Sequence, residues 1–270
     1  SFDPAYRWPR IQSPMIVSAA GPLRRADSIT RSRISIAAWT RAAGLASDQA
    51  RQHVMFGIAG TRAAIRDELA EIVEKFSDGQ FAASESLSLA ATNALANLRG
   101  TLAAGQALSV SAAALDNTEG SLQSLHAALA IDVAGAFANR RGQALAGTDL
   151  RAVVGSLDNS GTLYAGGNAL VAAQGDLLNT GLVAAGGNLV LAGARIASDA
   201  TSLLAAGLQA DGSLAAGGDL TVSASGPLVA TGQNLAGGRL AFSGASVDLS
   251  ASRSEAGQIA ILATGGDILS

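Results

Sequence analysis

The stretch GTLYAGGNALVAAQGDLLNT, residues 161–180, is followed at once by GLVAAGGNLVLAGARI, residues 181–196, which begins in the same way. A recurrence at a fixed spacing of about 20 residues is typical of a stacked array, in which each unit buries its apolar face only against its neighbours. The sequence therefore predicts a repeat architecture.

Two markers extend the repeat in both directions. Asparagines two positions after an apolar residue are 20, 22, 20 and 20 residues apart, each with a glycine two or three positions later: Asn97, Asn117, Asn139, Asn159 and Asn179. Gly-Gly pairs recur with spacings of 20, 31, 20 and 28, at Gly166-Gly167, Gly186-Gly187, Gly217-Gly218, Gly237-Gly238 and Gly265-Gly266. The two longer spacings predict insertions or an extra partial turn in the later units.

Between the markers, apolar residues alternate with other residues. Examples are Leu189 with Leu191, Leu220 with Val222, Leu240 with Phe242, Val247 with Leu249, and Ile259 with Ile261. A period of two is typical of a strand with one buried face. Gly and Asn interrupt these short runs and favour tight turns. Each unit is thus predicted to contain two or three short strands joined by corners.

A unit of this length is too short to close a sheet on itself, but it suits one coil of a right-handed parallel β-helix. With about 3.3 Å per residue and about 4.8 Å between coils, the perimeter is about 65 Å. We therefore expect an all-β solenoid of about nine or ten coils over residues 79–270, forming a rod about 45 Å long. Its narrow interior explains why only four aromatic residues follow residue 78.

The composition excludes several classes of protein. The net charge of -3 argues against nucleic-acid binding and against a polybasic membrane patch. The chain has no cysteine, which excludes disulfides and thiolate metal sites. No stretch is predicted to span or insert into a membrane. We expect the chain to be a fragment of a longer protein.

Residues 1–78 differ from the rest and are predicted to be a separate N-terminal region. They contain 11 of the 18 basic residues and four of the five prolines. A helix is predicted over 62–76, because Ile65, Leu69, Ile72, Val73 and Phe76 share one helical face. We interpret the region as a cap on the end of the solenoid, since an open coil is an unpaired edge. A small separate domain and an artefact of the reading frame are the alternatives.

No catalytic, cofactor-binding or metal-binding residue is predicted. His53 and His126 lack neighbours spaced as metal ligands or as members of a catalytic triad. The asparagine series is interpreted as a structural ladder along one corner. Asp219 and Asp267 follow Gly-Gly pairs, as in calcium-binding β-rolls, but those rolls need a repeat of about nine residues. Asn168, Asn188 and Arg239 stand at the equivalent positions of other units.

Two longer blocks carry a family resemblance. LDNSGTLYAGGNALVAAQGDLLNTGLVAAGGNLVLAG, residues 157–193, resembles the shaft repeats of filamentous haemagglutinin and of contact-dependent inhibition exoproteins. Residues 197–252, from ASDATSLLAAGLQADGSLAAGG to GASVDLSAS, resemble a repeat block further along such shafts. The resemblance covers about residues 79–270, and residues 1–78 lie outside it.

The resemblance implies a large secreted protein at the surface of a Gram-negative bacterium. Such proteins are exported through a partner transporter in the outer membrane and bind receptors on host cells or neighbouring bacteria. The Asn-Pro-Asn-Gly signature of the secretion domain and the Val-Glu-Asn-Asn motif before a toxin tip are absent from the sequence, so we expect a mid-shaft segment. The hypotheses are an adhesin shaft, a toxin-delivery stalk and, remotely, a carbohydrate-active β-helix enzyme.

Limited trypsin digestion tests the predicted cap. If residues 1–78 dock on the solenoid, their many Lys and Arg sites are shielded and the region is cleaved no faster than the coils. The fragments are identified by mass spectrometry. Early loss of residues 1–78 from an intact remainder contradicts docking.

Overall fold

The computed structural model describes residues 78–270 and, before them, two short strands, Met55–Ile58 and Ala64–Ile65. The described residues form strands, turns and bends, and no helix occurs among them. The all-β class predicted from the repeat is therefore confirmed.

The strands are short, and most contain two to six residues. In chain order they are β1 (Met55–Ile58), β2 (Ala64–Ile65), β3 (Gln80–Ala83), β4 (Leu87–Ala90), β5 (Ala94–Ala96), β6 (Thr101–Ala104), β7 (Leu108–Ala112), β8 (Ala114–Asp116), β9 (Ser121–Ser124), β10 (Leu129–Asn139), β11 (Gln143–Ala146), β12 (Leu150–Asn159), β13 (Thr162–Ala165), β14 (Ala169–Ala173), β15 (Asp176–Asn179), β16 (Leu182–Ala185), β17 (Leu189–Gly193), β18 (Arg195–Ser198), β19 (Leu203–Ala206), β20 (Leu220–Ala224), β21 (Leu228–Ala230), β22 (Gln233–Ala236), β23 (Arg239–Gly244), β24 (Val247–Asp248), β25 (Arg253–Glu255), β26 (Gln258–Ala263) and β27 (Ile268–Leu269).

Three parallel ladders run along the molecule. The first ladder pairs β1-β3-β6-β9-β11-β13-β16-β19-β22-β25 in that order. The second ladder runs β2-β4-β7, through the first halves of β10 and β12, to β14-β17-β20-β23-β26. The third ladder runs β5-β8, through the second halves of β10 and β12, to β15-β18-β21-β24-β27. Each coil contributes one strand to each ladder, which is the predicted parallel β-solenoid.

The coil length agrees with the sequence repeat. From β3 onward, strands of the first ladder begin 19–22 residues apart, except for a gap of 30 between β19 and β22. Nine coils lie between β3 and β25, with β1 and β2 preceding them, in agreement with the predicted nine or ten. β10 and β12 are longer because they continue round the corner between the second and third ladders, in β10 through a bulge between Val133 and Ala136.

The core is a single column of inward-facing side chains. Leu189 and Leu191 of β17 are buried and pair with Leu220 and Val222 of β20, as the alternation predicts. Burying one such aliphatic side chain contributes about 1.5–3 kcal/mol. The column is mostly Leu, Val and Ala, and Phe137 and Phe242 are its largest fully buried members.

The N-terminal prediction is tested only in part. Most of the helix predicted over 62–76 lies outside the described residues. Within it, Ala64–Ile65 forms strand β2, which pairs in parallel with β4, so at these two residues the structure has a strand instead of a helix. Sheet pairing across the coil edge overrides helical periodicity there. The proposed capping role of residues 1–78 stays a prediction.

The gap between β19 and β22 contains an insertion, residues 207–218, that folds back as a small hairpin. The hairpin is held by an antiparallel bridge between Leu208 and Leu214 and by hydrogen bonds from Gln209 N to Ser213 O and from Ala215 N to Gly207 O. β19 still pairs with β16 on one side and β22 on the other. The unit with the 31-residue spacing thus contains an insertion, as predicted, and its coil closes normally.

Close stacking explains the first glycine of three Gly-Gly pairs, at Gly166, Gly186 and Gly237. A Cβ on Gly186 would lie 2.3 Å from the carbonyl oxygen of Gly166 in the preceding coil, and a Cβ on Gly166 would lie 2.5 Å from that of Gly147. Those oxygens belong to backbone that is already hydrogen-bonded between coils, so they cannot move aside. Only glycine fits at these positions.

Substitution of Gly186 by alanine tests this packing. We expect Gly186→Ala to lower the free energy of unfolding by about 1–3 kcal/mol, because the new methyl group displaces the preceding coil. Urea denaturation followed by circular dichroism measures the change. Gly265→Ala is the matched control: its Cβ would meet nothing within 4 Å, so we expect a change within about 0.5 kcal/mol. Equal effects of both variants would refute the explanation.

Candidate functional site

The corner between the third ladder and the next strand of the first ladder contains a buried column of asparagine amides. Each Nδ2 donates to Oδ1 of the asparagine in the following coil, at 2.7 Å from Asn97 to Asn117, 2.7 Å from Asn117 to Asn139, 2.8 Å from Asn139 to Asn159 and 2.7 Å from Asn159 to Asn179. All five side chains are buried. The structural ladder predicted from the asparagine series is confirmed.

The second amide hydrogen in this column also has a partner. Nδ2 of Asn97 donates to Ser121 O at 3.2 Å, and Nδ2 of Asn139 donates to Thr162 O at 3.3 Å. The acceptors lie on the first-ladder strand of the next coil. Each amide therefore ties one coil to the next through both a side chain and the backbone, which satisfies groups that would be costly to bury unpaired.

Hydroxyl groups end the asparagine column. Asn179 Nδ2 donates to Ser198 Oγ at 3.1 Å, and Ser198 Oγ donates to Ser202 Oγ at 2.7 Å. Ser202 Oγ then donates to the backbone oxygen of Asp199 at 2.6 Å. The chain of bonds thus returns to the backbone within one corner, and no amide is left without an acceptor at this end.

In the coil after Ser198, the same corner is filled by a side chain from the first ladder. Ala230 pairs with Ser198 and so holds the position that asparagine occupies earlier. Asn234, on β22, reaches into the corner, where its Nδ2 donates to Ala230 O at 3.1 Å and to Ser254 Oγ at 3.2 Å. Its Oδ1 is buried and accepts no hydrogen bond from the described residues.

A second ladder of side chains lies at the exposed corner that follows the Gly-Gly pairs. Backbone N–H groups donate to Oδ1 of the preceding coil: Asn168 to Asp149 at 2.8 Å, Asn188 to Asn168 at 2.9 Å, Asp219 to Asn188 at 2.9 Å and Arg239 to Asp219 at 2.7 Å. The equivalence of these positions, predicted from the sequence, is confirmed. The side chains cap backbone amides at the corner, and this structural role accounts for Asn or Asp there.

The same ladder explains the second glycine of three pairs. A Cβ on Gly167 would lie 2.5 Å from Asp149 Oδ1, one on Gly187 would lie 2.6 Å from Asn168 Oδ1, and one on Gly238 would lie 2.4 Å from Asp219 Oδ1. The Asp or Asn side chain of one coil occupies the space beside the glycine of the next coil. At Gly166-Gly167, Gly186-Gly187 and Gly237-Gly238, the backbone of the preceding coil excludes a side chain at the first glycine and an Asx side chain excludes one at the second.

The prediction that Gly265-Gly266 is equivalent to the other Gly-Gly pairs is wrong. Gly265 N donates to Ala245 O, and Asp267 O accepts from Val247 N, so this pair lies at the corner between the second and third ladders. The position equivalent to Gly238 in the last coil is Gly257, whose N donates to Gly238 O at 2.9 Å. The spacing of 28 residues arises because the sequence pattern does not distinguish one corner from another.

No reactive cluster is assembled among the described residues. Asp219 and Asp267 lie at different corners, and no group of three His, Asp or Glu side chains in residues 78–270 could hold a metal ion. His53 lies outside the described residues, and His126 lies in the turn between β9 and β10. The described part of the chain also has no helix long and apolar enough to cross a membrane.

The outer face of the first ladder bears an apolar patch that the hairpin covers. Leu145, Tyr164, Ala184 and Ala205 are neighbours along the ladder, point away from the core and are nevertheless buried, together with Leu208 of the hairpin. Outward-facing residues of a solenoid are normally exposed, so the hairpin provides a second small core outside the first.

Polar contacts fix the hairpin in place. The hydroxyl of Tyr164 donates to Leu208 O at 3.3 Å, and Gln209 Nε2 donates to Gly186 O at 3.0 Å. Burial, and secondarily the negative charge of Asp211, raise the pKa of Tyr164, so the hydroxyl keeps its proton and remains a donor. Sequence analysis missed this patch. The available signals were the longer spacing and the Asp211-Gly212 turn, but neither shows which face the insertion covers.

Removing one amide from the middle of the asparagine column tests its contribution. Asn139→Ala removes the side-chain acceptor of one amide hydrogen of Asn117 and the donor to Asn159 Oδ1, both in a buried corner. We expect the free energy of unfolding to fall by about 2–4 kcal/mol, as measured by urea denaturation. Asn188→Ala is the control, since water can replace its exposed bond, and we expect a loss below about 1 kcal/mol. A smaller effect of Asn139→Ala than of Asn188→Ala would contradict the interpretation.

The haemagglutinin repeat family matches this chain in three overlapping segments, residues 78–141, 125–208 and 196–269. Together the segments extend from the corner before β3 to β27, which is more than half of the chain. Curated proteins and solved structures yield no match. The resemblance to filamentous haemagglutinin shaft repeats seen in the sequence is thus confirmed. The chain belongs to the haemagglutinin repeat family, and the coils of its solenoid are the repeats.

Proposed function

We propose that this chain is a shaft segment of a secreted surface adhesin of a Gram-negative bacterium, which attaches the cell to host cells or to neighbouring bacteria. The observation that carries the proposal is the unbroken parallel pairing of the first ladder from β3 to β25, in a chain whose coils are haemagglutinin repeats. Nine coils stacked about 4.8 Å apart provide reach along one axis. The role of the segment is then geometric, and no residue in it is a catalyst.

Export through an outer-membrane partner transporter is compatible with this chain. It contains no cysteine, so no disulfide has to form or be broken during passage. Each coil contacts mainly its two neighbours, so coils can fold one after another as they emerge. Stacking of newly exported coils then stabilises the fibre outside the cell.

Surface display and adhesion are tested together in cells that express the parent protein. An antibody against residues 78–270 is expected to stain intact bacteria, and staining is expected to disappear when the partner transporter gene is deleted. Beads coated with the purified chain are expected to adhere to epithelial cells or to bacteria more than beads coated with the same chain unfolded in urea. Staining that needs permeabilised cells would overturn the proposal of surface display.

The bead assay also separates two roles for the shaft. Adhesion of the folded chain assigns receptor contacts to the shaft itself. Staining of intact cells without bead adhesion makes the segment a spacer for a distal binding region. A toxin-delivery stalk is the alternative function, and sequencing the gene downstream distinguishes it. A polymorphic toxin module followed by an immunity gene would replace the adhesin proposal by the stalk.

A further inference from the structure

A column of charges lies on the asparagine corner, outside the amides. Four consecutive coils carry a charged residue in the left-handed conformation: Asp78 at φ 71°, Arg99 at φ 54°, Glu119 at φ 57° and Arg141 at φ 52°. Asp78 N donates to Leu98 O, Arg99 N donates to Thr118 O, and Glu119 N donates to Arg140 O. Each acceptor belongs to the residue just before the next member of the series. The four residues are thus equivalent positions of stacked coils, and their signs alternate.

Neighbours in this column form ion pairs. Arg99 donates from Nε to Asp78 Oδ1 at 2.6 Å and from Nη2 to Asp78 Oδ2 at 3.1 Å, a two-point pairing that fixes the guanidinium. Arg141 donates to Glu119. The hydrogen bond with Asp78 and, to a smaller degree, the charge of Glu119 raise the pKa of Arg99. Arg99 therefore interacts favourably with the coils on both sides.

The turn itself does not require these charges. In the next two coils the corner is one residue shorter, and Ser160-Gly161 and Thr180-Gly181 close it without a charged residue. A left-handed backbone is unfavourable for Arg or Glu compared with Gly. The longer corner places a charged side chain beside its counterpart in the next coil, which the shorter corner does not do.

We propose that the alternating charges of Asp78, Arg99, Glu119 and Arg141 make each coil stack on its immediate neighbour and disfavour stacking that skips a coil. The asparagines and the glycines that follow them recur in these coils, at Asn97, Asn117 and Asn139 and at Gly100, Gly120 and Gly142, so they stabilise a skipped pairing as well as the correct one. A skip places Asp78 beside Glu119, or Arg99 beside Arg141, and like charges repel. The inference concerns folding and is independent of what the shaft binds.

Skipping is a realistic error for this architecture. Solenoids nucleate at any repeat, and misassembly between repeats is a typical failure of repeat proteins. Looping out one coil of about 20 residues costs little more entropy than a short loop, since closure entropy grows only with the logarithm of length. Exposed ion pairs add little to final stability, but skipping one coil replaces two attractive contacts by one repulsive contact. The charges therefore act mainly by favouring stacking on the adjacent coil over stacking that skips a coil.

Exchange of the two central charges tests the proposal. In the double variant Arg99→Glu/Glu119→Arg, composition and net charge are unchanged, the end pairs become repulsive, and both skipped pairs become attractive. The control reverses all four charges, Asp78→Arg/Arg99→Glu/Glu119→Arg/Arg141→Glu, and keeps the alternation. Both proteins and the wild type are refolded from urea as full-length chains. Hydrogen exchange of peptides covering β6 to β9 reports an extruded coil.

At about 0.01 M salt, where charges interact over about 30 Å, we expect the double variant to give about tenfold more molecules with unprotected β6 to β9 than the wild type. The quadruple variant is expected to refold like the wild type. At about 1 M salt, screening should remove the difference. Wild-type behaviour of the double variant overturns the proposal. So does an equal defect in both variants, or a defect in the double variant that salt does not reduce.

Discussion

The distance of about 4.8 Å between successive coils is the constraint on which the rest of the structure depends. It brings the carbonyl of one corner so near to the next that Gly166 and Gly186 have no room for a Cβ. It also lets the short side chain of Asn reach its counterpart one coil away, which a larger spacing would prevent. Glycine and asparagine recur in the sequence because both are consequences of the same spacing.

The asparagine column has a direction, because every Nδ2 donates toward the C-terminal end of the solenoid. Amides aligned in this way polarise one another, so the column stabilises the fold more than the sum of its separate hydrogen bonds. The first interruption, at Ser198, coincides with the coil before the insertion. Beyond it the corner depends on Asn234, whose Oδ1 lacks a partner among the described residues. The two halves of the rod therefore differ in the side chains that fill this corner.

The sequence predicts those features that recur along several coils. The asparagine series, the Asx residues after the Gly-Gly pairs and the alternation of Leu189 and Leu191 each reflect a contact repeated along the axis. Except for the insertion indicated by the 31-residue spacing, features that occur once were not predictable. Gly265 matched the pattern but lies at another corner, and Tyr164 is buried by a hairpin whose position depends on tertiary packing. The alternating charges were not recognised in the sequence, because only the backbone angles show that these residues hold equivalent left-handed positions. No functional residue was predicted, and the described residues assemble no metal-binding cluster.

The hairpin of residues 207–218 changes the surface of the rod but leaves the strand pairing of its coil unchanged. It adds a turn and an exposed Leu214 to one side of the rod, while β19 keeps both of its partners. A corner of this kind can accept foreign loops without disturbing the strands beside it. The length of this corner can therefore change while the strand pairing is kept, and the same corner offers a site for displaying a grafted epitope.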